Sequence, residues 1–134
     1  MECSIVYYSA RKTSYCEKAL KKCFSELGLN LGSAVFATER EKLGRALTRE
    51  FKTSDAVFIV GGLAFEDSRG IRDIVSHAAA ASSPGLCRRL KNTQGDDGFL
   101  IQAGRQILVM LPDEPAQIEE IMRGELAGYI RKMR

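Results

Sequence analysis

Residues Asp55-Ala-Val-Phe-Ile-Val-Gly-Gly-Leu63 decide the fold. The strand within them is apolar on both faces, and such a strand belongs in the middle of a parallel sheet covered by helices. Gly61 and Gly62 then turn the chain at the carboxyl edge of that sheet. Having no Cβ, they take φ > 0 and let a ligand approach the main chain. The free N–H groups of the turn and the dipole of the following helix favour an anion, with Asp67 or Ser68 as the N-cap. A Gly-Gly after a strand is also an ordinary tight turn. The anion reading therefore needs a second segment, and Gly98-Phe-Leu-Ile-Gln-Ala-Gly-Arg-Gln-Ile-Leu-Val-Met-Leu-Pro-Asp-Glu-Pro115 supplies it. It reads as a hairpin closing on a Pro-rich turn before another helix.

Working outward, Cys3 to Tyr8 predicts a strand, and Cys16, Ala19, Leu20, Cys23, Phe24 and Leu27 keep the spacing of an amphipathic helix that Gly28 stops. Ala34 to Ala37 predicts a short second strand. Leu43, Ala46, Leu47 and Phe51 mark a second helix before the strand Asp55 to Val60. The order β-α-β-α-β implies right-handed crossovers and a parallel sheet with helices on both sides. Ile71, Ile74, Val75, Ala78 and Ala79 predict a third helix, and residues 86–97 an irregular polar surface loop. Phe99 to Ile101 and Gln106 to Met110 flank Gln102-Ala-Gly-Arg105, the short Gly-containing connection of a hairpin. The sheet is therefore mixed. Ile118 to Met133 holds helical spacing to the end, with a break expected near Gly124, because an interior glycine costs about 1 kcal/mol against alanine.

The chain has 134 residues, twenty basic and seventeen acidic, for a formal charge of +3. That size predicts one domain, residues 1–134, with a core that needs no staples. The charge is mild and scattered, apart from Arg88-Arg89-Leu90-Lys91 and the tail Arg131 to Arg134, which speaks against nucleic acid as a partner. No segment has the features of a secretory signal, and no apolar run approaches the ~20 residues that span a bilayer. The expected setting is cytoplasmic, without membrane contact. The four cysteines contain no C-x-x-C pair and read as reduced structural thiols. No P-loop, Rossmann fingerprint or Gly-x-Ser-x-Gly elbow occurs. His77, the only histidine, falls on the predicted third helix with no identifiable nucleophile or carboxylate partner.

Together the two segments resemble the molybdopterin-binding domain of molybdenum-cofactor biosynthesis proteins and of the competence-damage-inducible protein family. In that family an Asp-leading apolar strand runs into a Gly-Gly-x-Gly or Gly-Gly-x-Ser turn, and Asp55 to Ala64 is similar, with Ala64 at the last position. The family's phosphate-contacting Gly/Pro-rich stretch and its Leu-Pro-Gly-x-Pro turn are matched by Gly95-Asp-Asp-Gly-Phe99 and Leu111-Pro-Asp-Glu-Pro115. Upstream, Thr38-Glu-Arg-Glu-Lys-Leu43 resembles the acidic start of the helix before the central strand. The likeness runs over nearly the whole chain. It implies an α/β three-layer sandwich, mostly parallel with a C-terminal β-hairpin, and a homo-oligomer, dimer or trimer. It also implies a ligand site at Gly61, Gly62, Leu63, Asp67, Ser68, Arg69, Gly95, Gly98, Pro112 and Asp113. The ligand it implies is molybdopterin or a nucleotide, with Mg²⁺.

The departures bear on catalysis. Arg69 stands where the family carries an aspartate associated with metal or phosphate, Thr38 where the upstream aspartate belongs, and Asp113 where the Pro-rich turn has glycine. Asp96 and Asp97 occupy the stretch that contacts phosphate. Acids beside a polyanion repel it unless a cation bridges them. Either Asp67, Asp73, Asp96, Asp97 and Asp113 gather a Mg²⁺ that carries the phosphate, or they are solvated loop side chains of a domain whose active site is degenerate. Arg69, Arg72, Arg88, Arg89 and Lys91 remain available as phosphate contacts. The leading expectation is a molybdopterin- or nucleotide-binding protein related to molybdenum-cofactor biosynthesis, with no catalytic residue assigned. The alternatives are a Mg²⁺-dependent adenylyltransferase or nucleotide pyrophosphatase of the same fold, and a non-catalytic assembly domain.

Overall fold

The computed structural model describes residues 1–63 and 87–133. Strand β1 (Glu2–Tyr8), helix α1 (Thr13–Leu27), strand β2 (Asn30–Ala37), helix α2 (Arg40–Glu50) and strand β3 (Ala56–Val60) form the first part. Strands β4 (Cys87–Leu90), β5 (Gly98–Ala103) and β6 (Gln106–Leu111) and helices α3 (Pro115–Arg123) and α4 (Glu125–Met133) form the second. The predicted third helix, Ile71 to Ala79, lies outside the described residues, as does His77.

One six-stranded sheet runs in the order β2-β1-β3-β6-β5-β4. β1 pairs in parallel with β2 and β3, and β3 with β6. β5 is antiparallel to both of its neighbours, β6 and β4. The sheet is thus mixed and mostly parallel, as expected. The alternation of side chains along each strand divides the core in two. Ile5, Tyr7, Phe58, Val60, Ile107 and Val109 meet α1, α3 and α4 on one face. On the other, Val6, Tyr8, Val57, Ile59 and Met110 meet Leu43 and Ala46 of α2. Every residue of β3 is fully buried, which accounts for its unbroken apolar sequence. Phe24 of α1 packs on Phe58 with ring centroids 4.8 Å apart.

Local chemistry sets the ends of the elements. Gly28 closes α1, with the Leu29 N–H on the Phe24 carbonyl at 2.8 Å, the backbone pattern that satisfies the last carbonyls of a helix. Pro115 opens α3, where its missing N–H costs nothing. The chain breaks at Gly124 (φ −85, ψ −139), so the C-terminal periodicity is two helices and not one. The hairpin turn is Gly104-Arg105, because β5 runs two residues past the expected Ile101, through Gln102 and Ala103, while β6 starts at Gln106 as expected.

Two expectations are corrected. β2 begins at Asn30, four residues before Ala34, and its positions alternate between exposed and half-buried. An edge strand buried on neither face needs no apolar run to announce it, and its pairing with β1 carries it through a register shift beside Cys3 and Ser4. Residues 87–90, expected in a loop, form strand β4. Its exposed Arg88 and Arg89 are the charged side chains that keep a sheet edge from pairing further, and they disguise it as loop. The irregular segment is confined to residues 91–97.

A polar knot lies at the amino end of β1. Glu50, 5% exposed at the end of α2, accepts a hydrogen bond from the Ser33 hydroxyl, and the buried Ser4 and Ser54 hydroxyls bond to each other. The Ser33 hydroxyl foremost, then Arg49, whose Nε lies 3.3 Å from Glu50 Oε2, and Ser4 hold the Glu50 carboxyl below the ordinary glutamate range.

Candidate functional site

The carboxyl ends of β1, β3 and β6 open into a cleft of about 520 Å³. It lies between β1 and β3, where the strand order reverses, β2 following on one side of β1 and β3 on the other, the switch point at which open α/β sheets place ligands. Its volume is within the ~300–1,000 Å³ of small-molecule sites. A second depression, about 670 Å³, lies at the opposite end of the sheet among Met1, Asp55, Arg105 and Lys132. It lies at the amino ends of the parallel strands, beside the Gly104-Arg105 hairpin turn and the end of α4, with no helix start among its lining residues, so the switch-point cleft, at the carboxyl ends, is the candidate.

Three described loops build the cleft. After β3, Gly61 and Gly62 adopt φ 100 and φ 84, and Gly62 and Leu63 line the opening. A Cβ at Gly61 would run into the Tyr8 carbonyl and lie 3.2 Å from the Ala10 Cα. Its N–H is held by the Leu111 carbonyl at 3.0 Å. Gly61 thus packs the turn against the neighbouring loop, while Gly62 faces the cleft. After β1, Ser9 and Lys12 take the left-handed conformation at φ 46 and φ 53, which bends the chain so that Ser9 and Arg11 border the opening. After β6, Pro112, Asp113 and Glu114 complete that wall.

The fourth side is the 91–97 segment, tied to α3. Asn92, 6% exposed, donates to the Asp96 carbonyl at 2.9 Å and to Gln117 Oε1 at 2.8 Å, and accepts the Gln94 N–H at 3.0 Å. Glu120 receives the Thr93 N–H at 2.6 Å, the Thr93 hydroxyl at 2.7 Å and the Gln94 amide at 2.9 Å. These donors lower its carboxyl from the ordinary value, Gln94 first. The result is a fixed turn that presents Gly95, Asp96 and Gln117 to the cleft.

Of the site residues expected from sequence, Gly62, Leu63, Gly95, Pro112 and Asp113 border one cleft, and Gly61 supports it. Asp67, Ser68 and Arg69 lie outside the described residues, as do Arg72 and Asp73. Gly98 is corrected: it is the first residue of β5, paired with Leu90, and an added Cβ would sit 2.6 Å from the Met110 carbonyl. It serves sheet packing. The basic run is corrected too. Arg88 pairs with Glu125 at 3.0 Å and lies 5.7 Å over the Tyr129 ring, and Arg89 lies 3.7 Å from Asp97, all on the sheet edge. Asp97 also accepts the Asn92 N–H at 2.8 Å, which holds the turn. Thr38 gives its carbonyl to the Ser9 hydroxyl at 3.4 Å. Among the described residues no three His, Cys, Asp or Glu side chains are placed to hold a metal ion.

Sequence reasoning missed Arg11, Asn92, Gln117 and Glu120. An asparagine within a Gly-rich segment is a turn signal, and Gln117 and Glu120, three apart on a helix, share a face; that was the available clue. Arg11 carried no such signal, because its place depends on the bent backbone at Ser9 and Lys12.

A six-stranded mixed sheet flanked by helices, with a glycine-turn cleft at its switch point, is a known α/β fold. Solved structures bear this out. The CinA protein of Thermoplasma acidophilum, of unknown function, superposes with a TM-score of 0.75 at 15% identity over 97% of this chain and 99% of its own. A molybdopterin biosynthesis protein from Mycobacterium abscessus gives 0.71 at 15% over 98% and 93%. The tungsten cofactor synthesizing protein MoaB from Pyrococcus furiosus gives 0.65 at 13% over 99% and 96%. No protein-family model and no curated protein sequence matches the chain.

Proposed function

We propose that the switch-point cleft binds a small phosphate-bearing ligand, a molybdopterin or a nucleotide, in a role related to molybdenum-cofactor biosynthesis, and that the domain is a binding module with a degenerate catalytic site. The observation that carries this is the convergence of Gly62, Gly95 and Pro112 on one cleft of ligand size. Their sequence segments lie far apart, and a glycine turn made only for chain reversal has no reason to face the other two. The bared main chain at Gly62 and the Gln117 amide offer fixed polar groups where a ligand would lie. Proteins of similar fold from molybdopterin and molybdenum-cofactor biosynthesis support the ligand class.

Loss of catalysis follows from the acids. Asp97 and Asp113 are each engaged by an arginine, and a carboxylate committed to a guanidinium is a poor Mg²⁺ ligand. The homo-oligomer, dimer or trimer, is proposed with this reading, and sedimentation velocity measures it. The ligand test is thermal unfolding with anaerobic molybdopterin, ATP or ADP-ribose, each with Mg²⁺ or EDTA. Ligand at a hundred times its Kd adds about 2.7 kcal/mol, which raises Tm by several degrees at this size. A rise that persists in EDTA, without turnover of the ligand, is the expected result. Metal-dependent turnover would establish the enzyme instead, and no rise with any compound would remove the ligand class.

A further inference from the structure

The cations at the mouth of the cleft are already held by acids of the same chain. We propose that Asp113 and Glu114 form an autoinhibitory clasp, an internal competitor for the anion that sets the affinity of the cleft. The inference rests on the reading of the cleft as a phosphate-binding site. Asp113 Oδ2 accepts the Arg11 main-chain N–H at 2.8 Å and its guanidinium Nε at 3.3 Å. One residue on, Glu114 Oε2 accepts from Lys12 Nζ at 2.7 Å. Two consecutive cations of the β1–α1 loop thus meet two consecutive acids of the β6–α3 turn.

A main-chain N–H and a guanidinium N–H converging on one anionic oxygen are the donors a phosphoryl oxygen takes. The Asp113 carboxylate has them, and its side chain is 20% exposed against 83% for Arg11. The acid is therefore the sheltered member of the pair, and the arginine stands in solvent beside it. Helix α1 begins at Lys12 without a side-chain cap, so the acidic pair supplies the negative charge favoured beside a helix start. The four side chains sum to zero while the clasp is closed. With the acids neutralised, Arg11 at the rim of the cleft and Lys12 next to it in the chain leave two uncompensated positive charges beside the opening.

Exposed ion pairs are individually weak. The clasp is accordingly a competitor that a polyanion displaces, and its effect is one of degree. Removing two such pairs raises anion affinity by roughly three- to tenfold, with a steeper loss of affinity as salt rises.

The experiment is calorimetric titration of inorganic pyrophosphate and tripolyphosphate into wild type, Asp113→Asn/Glu114→Gln, and that double variant carrying Arg11→Gln/Lys12→Gln as well. The amide isosteres preserve shape, and far-ultraviolet circular dichroism checks the fold. The double variant is expected to bind tighter by the stated factor, and the added Arg11 and Lys12 changes to cancel the gain. Hydrogen exchange at the Arg11 amide reads the clasp without any ligand, and Asp113→Gly is expected to speed it at least tenfold. Wild-type binding with equal or weaker binding by the double variant would overturn the clasp and leave the cleft reading intact. Unchanged Arg11 exchange in Asp113→Gly would likewise overturn it. Absence of binding by every form would bring down the cleft reading and the clasp with it.

Discussion

Gly61 sits at φ 100 with the Tyr8 carbonyl where a Cβ would project, so any side chain there meets both backbone strain and a fixed neighbour. Gly61→Ala is expected to lower the unfolding free energy by about 1–3 kcal/mol, the range for a residue forced into such a conformation, in urea titrations. Glu50 sets a pH dependence. Its native pKa lies below the ordinary 4.5, chiefly through the Ser33 hydroxyl, so the stabilisation is fully present above that value and is lost as pH falls through the lower native one. Glu50→Gln is expected to be less stable than wild type at pH 7, by about 1.5–3 kcal/mol for hydrogen bonds to a charged group. The gap should close in acid. A gap that stays constant down to acid unfolding would show the carboxylate to be irrelevant. The buried thiols behave alike: burial pushes Cys3 up to about 12 and Cys16 up to about 11. Neither is expected to react with a disulfide reagent at pH 8 until denaturant is added, because the thiolate is the reactive form.

At the scale of elements, what could be read from sequence was whatever burial had written into it. β3 is apolar throughout because both of its faces are covered, and α1 keeps its period because Cys16, Leu20, Cys23 and Leu27 all face one core. The first half of β2 and all of β4 escaped because an edge strand is held by backbone pairing and not by side-chain burial; Arg88 and Arg89 are as fitting there as in a loop. The candidate site was legible as far as its backbone chemistry went, at Gly62, Gly95 and Pro112. Gly98 was misread because glycine signals close approach without saying whether a ligand or, as here, the Met110 carbonyl comes near. The ties between Asn92, Gln117 and Glu120 join segments more than twenty residues apart, and no local pattern announces them. Asn92→Ala leaves Gln117 Oε1 and the Gln94 N–H without their partner and is expected to cost about 1–3 kcal/mol. Hydrogen exchange should then quicken at residues 92–97 while β3 amides stay protected.

For the molecule as a whole, fold and function rest on different footings. The fold follows from a buried central strand and parallel strand connections through α1 and α2, and structures at 15% identity still superpose over almost the full chain. At that depth most side chains differ although the fold persists, and the charges around the cleft are among the features a fold alone does not fix. Function depends on those charges, and so a shared fold does not transfer it. The central claim is that the cleft at the switch point is where a phosphate-bearing ligand binds. The most direct measurement is a ¹⁵N-labelled titration of the protein with ATP and with anaerobic molybdopterin, following each backbone amide. The expected result is saturable shifts at Ser9, Gly62, Gly95, Asp113 and Gln117 with Met1, Asp55 and Arg105 unmoved. Shifts confined to the far end of the sheet, or none at all, would contradict it.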